Sequence, residues 1–355
     1  MADQRLRGLA DPVGFAHLAP QMDRLTARIA AQDGARLDRM LADNGVSPDD
    51  RWRMAIAPHD DYAYAGFMYP LALRNVKADT VIIFGVAHKA RQLGLEDVLV
   101  FDSFTHWHGA YGDIAVSPLR ERITERLPEG TFVVHDAMHS IEHSVEAKLP
   151  FLQRANRAFR FVPILVPYMS FVRMDELARP LAEALARLLD EDGLDWGRDI
   201  ALLSSTDAVH YGDEGWDGRN FARYGADEAG HAKALEHERR ILRDCFDGAL
   251  SSERIERFTR YTVAEHDHRE YRWTWCGRYS VPFGLLVAWH LGRIRREPAL
   301  SGTVLGYATS LGDQRIRVDD LDGMGVTAPA TLRHWVGYAA VGYALVRTYP
   351  DPAAE

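Results

Sequence analysis

Four short apolar runs constrain the fold of this chain more than any other feature. They are Met54-Ala55-Ile56-Ala57, Thr80-Val81-Ile82-Ile83-Phe84-Gly85, Phe161-Val162-Pro163-Ile164-Leu165-Val166 and Ile200-Ala201-Leu202-Leu203-Ser204-Ser205. Each is almost continuously hydrophobic instead of alternating with polar residues. Such strands are covered on both faces, as in a largely parallel sheet. Amphipathic stretches at 118–126, 145–156, 174–189, 227–247 and 284–296 predict helices between and after them. The strand–helix alternation predicts an α/β fold, an open, largely parallel sheet flanked by helices on both faces. Runs at 303–309 and 338–346 predict two closing strands. Residues 1–52 read as an N-terminal helical extension. Leu25, Ile29, Leu37 and Leu41 recur there at helical intervals before a turn at 46–50. With no repeat and no linker, residues 53–350 form one domain behind that extension.

Composition narrows the function classes. The net charge of −9 and the absence of a basic face argue against a nucleic-acid partner. Only four of the 42 basic residues are lysine, so arginine clamps on an anionic substrate stay open. No apolar leader and no run near ~18 apolar residues occurs, which predicts no signal peptide and no membrane span. Two cysteines cannot build a disulfide framework, and the expected compartment is a reduced cytoplasm.

The 15 histidines are placed unevenly. In an open α/β sheet, ligands bind beyond the carboxyl ends of the strands. His59 ends the first run, His88 follows the second in Gly85-Val86-Ala87-His88, and Asp207 and His210 follow the fourth. A lone histidine is more often structural, but three converging on one sheet edge point to a site. Glu142-His143-Ser144-Val145-Glu146 reads as a helix start with His143 and Glu146 on one face. Cys276, in Trp275-Cys276-Gly277-Arg278, is either a thiolate ligand or a small buried hydrophobe, and Cys245 reads as structural.

These segments together resemble one family, the MEMO-like proteins, called protein B of the AmmeMemoRadiSam system in prokaryotes. The resemblance covers about residues 53–347 and rests on six ordered matches. They are Pro58-His59 with Tyr62-Ala63-Tyr64-Ala65-Gly66, Gly85-Val86-Ala87-His88, Glu142-His143-Ser144-Val145-Glu146 with Leu149-Pro150-Phe151-Leu152, Ser205-Thr206-Asp207 with His210-Tyr211, Cys276-Gly277-Arg278, and Gly306-Tyr307-Ala308-Thr309-Ser310 with Tyr338-Ala339-Ala340.

The family's fold is similar to that of class III extradiol (LigB-type) non-haem iron dioxygenases. The resemblance implies His59, His88 and Cys276 as metal ligands, with Fe(II) first and Cu or Zn as alternatives. Two imidazoles and a thiolate suit those metals and leave positions open. It implies His210 as acid/base, Asp207 as its orienting partner or that of a ligand histidine, and His143 as a donor to bound substrate or oxygen. Glu146 completes this expected catalytic group. Tyr62, Arg278 and Trp275, which flanks Cys276, are expected to contact substrate. His106 and His108, in Thr105-His106-Trp107-His108-Gly109 where the family commonly has a Thr-Pro-containing turn, either line the pocket as substrate contacts or lie on a surface loop.

The chain departs from the family's His-Ala-Gly-Tyr run with His59-Asp60-Asp61-Tyr62. Asp60 or Asp61 is either a further ligand or base, with Cys276 then outside the first coordination sphere, or part of an Asx-stabilised turn. The implied function is a metal-dependent, dioxygenase-like oxidoreductase acting with O₂ on a small aromatic or otherwise activated substrate. The competing readings are a non-catalytic metal- and peptide-binding protein and a Zn hydrolase. A small-molecule substrate and O₂ are the expected partners, and association into a homo-oligomer is left open.

Overall fold

The computed structural model describes residues 5–346. The apolar runs become the centre of a ten-stranded sheet. Its strands are β1 (Met54–Ala57), β2 (Thr80–Val86), β3 (Leu99–Phe101), β4 (Phe132–Val134), β5 (Arg160–Val166), β6 (Ile200–Ser205), β7 (His210–Gly212), β8 (Gly248–Ala249), β9 (Leu300–Thr309) and β10 (His334–Leu345). The order across the sheet is β8-β9-β10-β1-β6-β2-β5-β3-β4, and β7 pairs with β10. β1, β6, β2 and β5 are mutually parallel. The flanks are antiparallel, with β10 against β1, β9 against β10 and β3 against β5. The fold is therefore α/β, and its sheet is mixed around a parallel centre.

Successive residues of the central strands enter two different hydrophobic clusters. Ile82, Phe84, Val162, Ile164 and Leu202 pack with helices Phe171–Glu191 and Ser280–Ile294. Val81, Ile83, Phe161, Leu165 and Leu203 pack with Ala19–Asp43, Met68–Leu73 and Leu149–Ala155. Period-two side-chain alternation thus feeds two cores, which explains why these strands carry no polar face. Helix Phe171–Glu191 begins where the Ser170 hydroxyl accepts the Arg173 amide, a side-chain cap for one of the unpaired first-turn donors.

The N-terminal extension is part of this core. Met22, Leu25, Ile29, Leu37 and Leu41 of helix Ala19–Asp43 are buried in the second cluster. Ahead of it, Leu6–Arg7 pairs in parallel with His106–Trp107, which pairs with Ile114–Ala115 in a separate three-stranded sheet. The helix expected over 145–156 is shorter. A 3₁₀ turn at Glu146–Lys148 precedes a helix at Leu149–Ala155. Among the described residues, no helix is long and apolar enough to cross a membrane.

Candidate metal centre

The carboxyl ends of β1, β2 and β6 deliver His59, His88 and Asp207 to one edge of the sheet. Cys276 arrives from the loop before helix Ser280–Ile294. That loop lies close because Gly277 has no side chain, and a Cβ there would sit 2.3 Å from the Thr206 side chain. The Gly277 amide instead donates to Thr206 Oγ1 at 3.0 Å.

One donor atom each from His59, His88 and Cys276 lies within 4.8 Å of the others. His59 Nε2 is 3.2 Å from Cys276 Sγ. A tetrahedral metal with ordinary bond lengths holds nitrogen and sulfur donors roughly 3.5 Å apart, so the spacing fits a single ion. The ring partners set the tautomers. Ser205 Oγ donates to the Ser144 carbonyl at 2.7 Å and so accepts the His59 Nδ1–H, also at 2.7 Å. His88 Nδ1 donates to Glu142 at 3.0 Å. In both rings the Nε2 lone pair is left for the centre.

Glu142 also accepts the amides of His88 and Ser144, each at 2.8 Å. Burial alone would raise its pKa, but His88, His143 and the Ser144 amide together hold it well below the usual carboxylate range. Buried Lys148 donates to the Ser144 carbonyl at 2.7 Å and to Ser205 Oγ. Burial brings it down to about 7 against the opposing pull of Asp207 and Cys276.

Desolvation keeps the remaining imidazoles neutral. Burial, and then Lys148, pushes His59 well below its ordinary value. Burial brings His143 to about 4 against the opposing charge of Glu142. Burial, and then His88, brings His210 to about 3. Burial and Asp207 keep Cys276 protonated as a free thiol, so a metal would displace that proton on binding. His143 stacks on His88 with centroids 5.0 Å apart. Asp207 accepts the His59 amide at 2.8 Å, and its own amide donates to Cys276 Sγ at 3.1 Å. It is therefore placed to fix the His59 backbone and the Cys276 sulfur relative to each other.

A cavity of about 300 Å³ opens over these groups. His59, His88, His143, Asp207 and His210 line it, with Asp60 and Asp61 beside them. Among the described residues, neither Asp60 nor Asp61 belongs to a close group of ligand atoms. Asp60 accepts the Tyr338 hydroxyl and the Asp61 amide. Asp61 accepts the amide and hydroxyl of Thr327 at 2.6 and 3.1 Å. Burial and its acidic neighbour Asp60 push Asp61 up to about 7.

Several expected residues lie elsewhere. Because no helix starts at Glu142, Glu146 turns away from the cavity and pairs with buried Arg7. Tyr62 is buried behind the wall, its hydroxyl on the Ala147 carbonyl at 2.6 Å. His106 lies in the small sheet and His108 reaches the His17 carbonyl at 3.2 Å, both away from the cavity. Trp275 points into the core, where Glu238 accepts the indole N–H groups of Trp273 and Trp275. Burial pushes Glu238 up to about 7, although those indoles pull the other way. Arg278 is buried with its guanidinium 3.5 Å from the Tyr271 ring centre.

In their place stand residues that sequence reasoning missed. Trp216 and His334 stack with centroids 4.0 Å apart at an interplanar angle of 9°. Tyr64, Ser310, Thr327 and Val336 complete the wall. Trp216, Ser310 and Thr327 come from loops with no periodicity, Tyr64 from a helix of only four residues, and His334 and Val336 from the start of β10. Ser205, Lys148 and Glu142 read in sequence as ordinary strand and helix-start residues, and only the folded contacts reveal them, with Ser205 and Glu142 on the Nδ1 atoms of His59 and His88 and Lys148 on Ser205.

The family model described as Memo-like protein matches residues 30–320. A MEMO1 family protein of Pyrococcus abyssi is 28% identical over 289 residues, covering 77% of this chain and 86% of the relative. One from Pyrococcus horikoshii is 29% identical over 264 residues, covering 72% and 79%. A third, from Thermococcus kodakarensis, is 29% identical over 185 residues, which spans 50% of this chain and 59% of that protein. The matched residues contain His59, His88 and Cys276 on their three loops, and the chain belongs to the Memo-like family.

Proposed function

We propose that the protein is a metal-dependent oxidoreductase acting with O₂ on a small phenol- or catechol-like substrate. The observation that carries this reading is the close His59/His88/Cys276 donor group beneath a cavity that also holds His143 and His210. Fe(II) is the first assignment and Cu the second. Such a metal would supply electron exchange and open coordination positions.

The chain's own groups do the rest. His210 Nε2 is buried without a partner among the described residues, so a neutral imidazole is ready to take the proton of a substrate hydroxyl. His143, parallel to His88, offers a second nitrogen to bound oxygen or substrate. Trp216 stacked on His334 gives a flat apolar wall for a planar ring and keeps water from it. Asp207 holds the His59 backbone while these groups act.

The test is O₂ consumption by iron-loaded protein across a panel of catechols and phenols. Turnover of at least one, abolished in His59→Ala/His88→Ala, is the expected result. Silence throughout would favour the non-catalytic binding reading. Zinc as the metal found by elemental analysis after anaerobic purification would favour a hydrolase, with a metal-bound water as nucleophile.

A further inference from the structure

The segment ahead of the family-matched residues touches both histidine-bearing loops. Arg7 is 1% exposed and lies 4.2 Å over the ring of Trp107. Its five N–H donors are all used. Nε and Nη2 donate to the His139 carbonyl at 3.0 and 2.9 Å, and Nη2 also to the Glu142 carbonyl at 2.5 Å. Nη1 donates to the Gly8 carbonyl at 2.9 Å and to Glu146. Glu146 in turn accepts the amides of Ala10 and Asp11 at 2.8 and 3.1 Å. The residue whose carbonyl Arg7 grips is the one whose carboxylate holds His88.

The segment then crosses to the other histidine. The Asp11 carboxylate accepts the amides of Val13 and Gly14. The Gly14 carbonyl accepts the Tyr62 amide at 2.9 Å. A Cβ on Gly14 would lie 2.2 Å from Asp61 Oδ1, so the backbone presses directly on the turn that follows His59. Phe15 packs on Tyr62 and reaches the His143 ring, at centroid distances of 5.2 and 6.2 Å.

We propose that residues 7–15 are a strap that positions the metal ligands, with Arg7 as its anchoring residue acting through Glu142 on His88. The chemistry is that of an outer-sphere support, since such partners fix ring orientation and commonly change metal affinity about 10- to 100-fold. A buried five-donor guanidinium does this better than an ammonium, whose three donors cannot span the same acceptors. The proposal rests on the His59/His88/Cys276 centre being a metal site.

The experiment titrates the full chain with Co(II) and follows the thiolate-to-cobalt absorption of Cys276. It compares wild type with Arg7→Met, Arg7→Lys and the double variant Arg7→Met/Glu146→Gln. Arg7→Met leaves the buried Glu146 carboxylate without its counter-charge, so it loses stability as well as affinity. The double variant removes that charge and recovers the unfolding temperature. It is still expected to bind Co(II) at least tenfold more weakly than wild type, with Arg7→Lys in between. A double variant binding within twofold of wild type overturns the strap. Amide exchange of cobalt-free protein is the second readout, and the double variant is expected to exchange faster at His88 and Ser144, whose amides Glu142 accepts. Unchanged exchange there also overturns the strap. A wild type with no thiolate–cobalt band overturns the metal-centre reading, and the exchange comparison then decides the strap alone.

Discussion

Ser205→Ala separates ligand orientation from stability. Ser205 Oγ donates to the Ser144 carbonyl and accepts from His59 Nδ1 and Lys148. Truncation leaves the His59 Nδ1–H buried and unpaired and removes one partner of a buried ammonium. One orphaned donor plus a weakened charged bond amounts to about 3 kcal/mol. For a chain of 355 residues the unfolding entropy is about 0.75 kcal/mol/K, so 3 kcal/mol lowers Tm by about 4 °C. The His59 tautomer is then free to place its proton on Nε2, against Cys276, and metal affinity falls about 10- to 100-fold. Ser204→Ala is the control. Its hydroxyl donates to the Ser280 carbonyl at 2.9 Å on the other side of the same strand. It forfeits about 1 kcal/mol and leaves metal binding intact. The assays are calorimetric Tm, metal titration, and nitrogen chemical shifts of His59. Full metal affinity in Ser205→Ala, or equal losses in both variants, would refute the reasoning.

Three further outcomes follow from the geometry. Glu238 holds its proton to about 7 in the folded chain, above its ordinary 4.5, so the folded state binds the proton more tightly than the unfolded one. Its contribution is complete below about pH 4.5, falls by about 3 kcal/mol up to about pH 7, and is flat above. Urea unfolding of Glu238→Gln against wild type across that window should show the difference closing at the acid end, and a pH-independent difference contradicts the account. Asp61→Asn should retain its full metal content by elemental analysis, because its carboxylate is committed to Thr327, and loss of metal would place it among the ligands. His210→Asn should lower turnover of any active phenol about 10²- to 10⁴-fold with unchanged metal content. Parallel loss of metal would make His210 a ligand beside Asp207 and Cys276 instead of a base.

Much of this architecture was legible because the central strands feed cores on both sides. Val81 through Phe84 and Phe161 through Leu165 carry no polar face, and only a doubly covered sheet accommodates that. The ends of such strands are where ligands gather, so His59, His88 and Asp207 could be placed together without knowing the topology. Glu146 could not be placed. The helical-face argument assumed a helix from Glu142, whereas the helix begins at Leu149 and Glu146 turns to a partner in the leader. Trp275 and Arg278 neighbour Cys276 in sequence, but the backbone turns between neighbours and sends both side chains into the interior. Strands β3 and β4, of three residues each, are too short for any periodicity to register. Trp216 and His334 meet only because β7 pairs with β10, a contact between segments more than a hundred residues apart.

The position of β10 sets the order of events during synthesis. β10, the last strand among the described residues, lies between β9 and β1, so the sheet stays open until that strand has emerged. Long-range closure of that kind is slow. Cys276 is delivered by a loop that rests on β6 and leads into the helix covering the same sheet. A nascent chain therefore exposes His59 and His88 long before the thiol that completes the donor set. An ion arriving before that loop is in place would meet the two imidazoles without the thiol, so the full donor set would exist only once Cys276 has packed against β6.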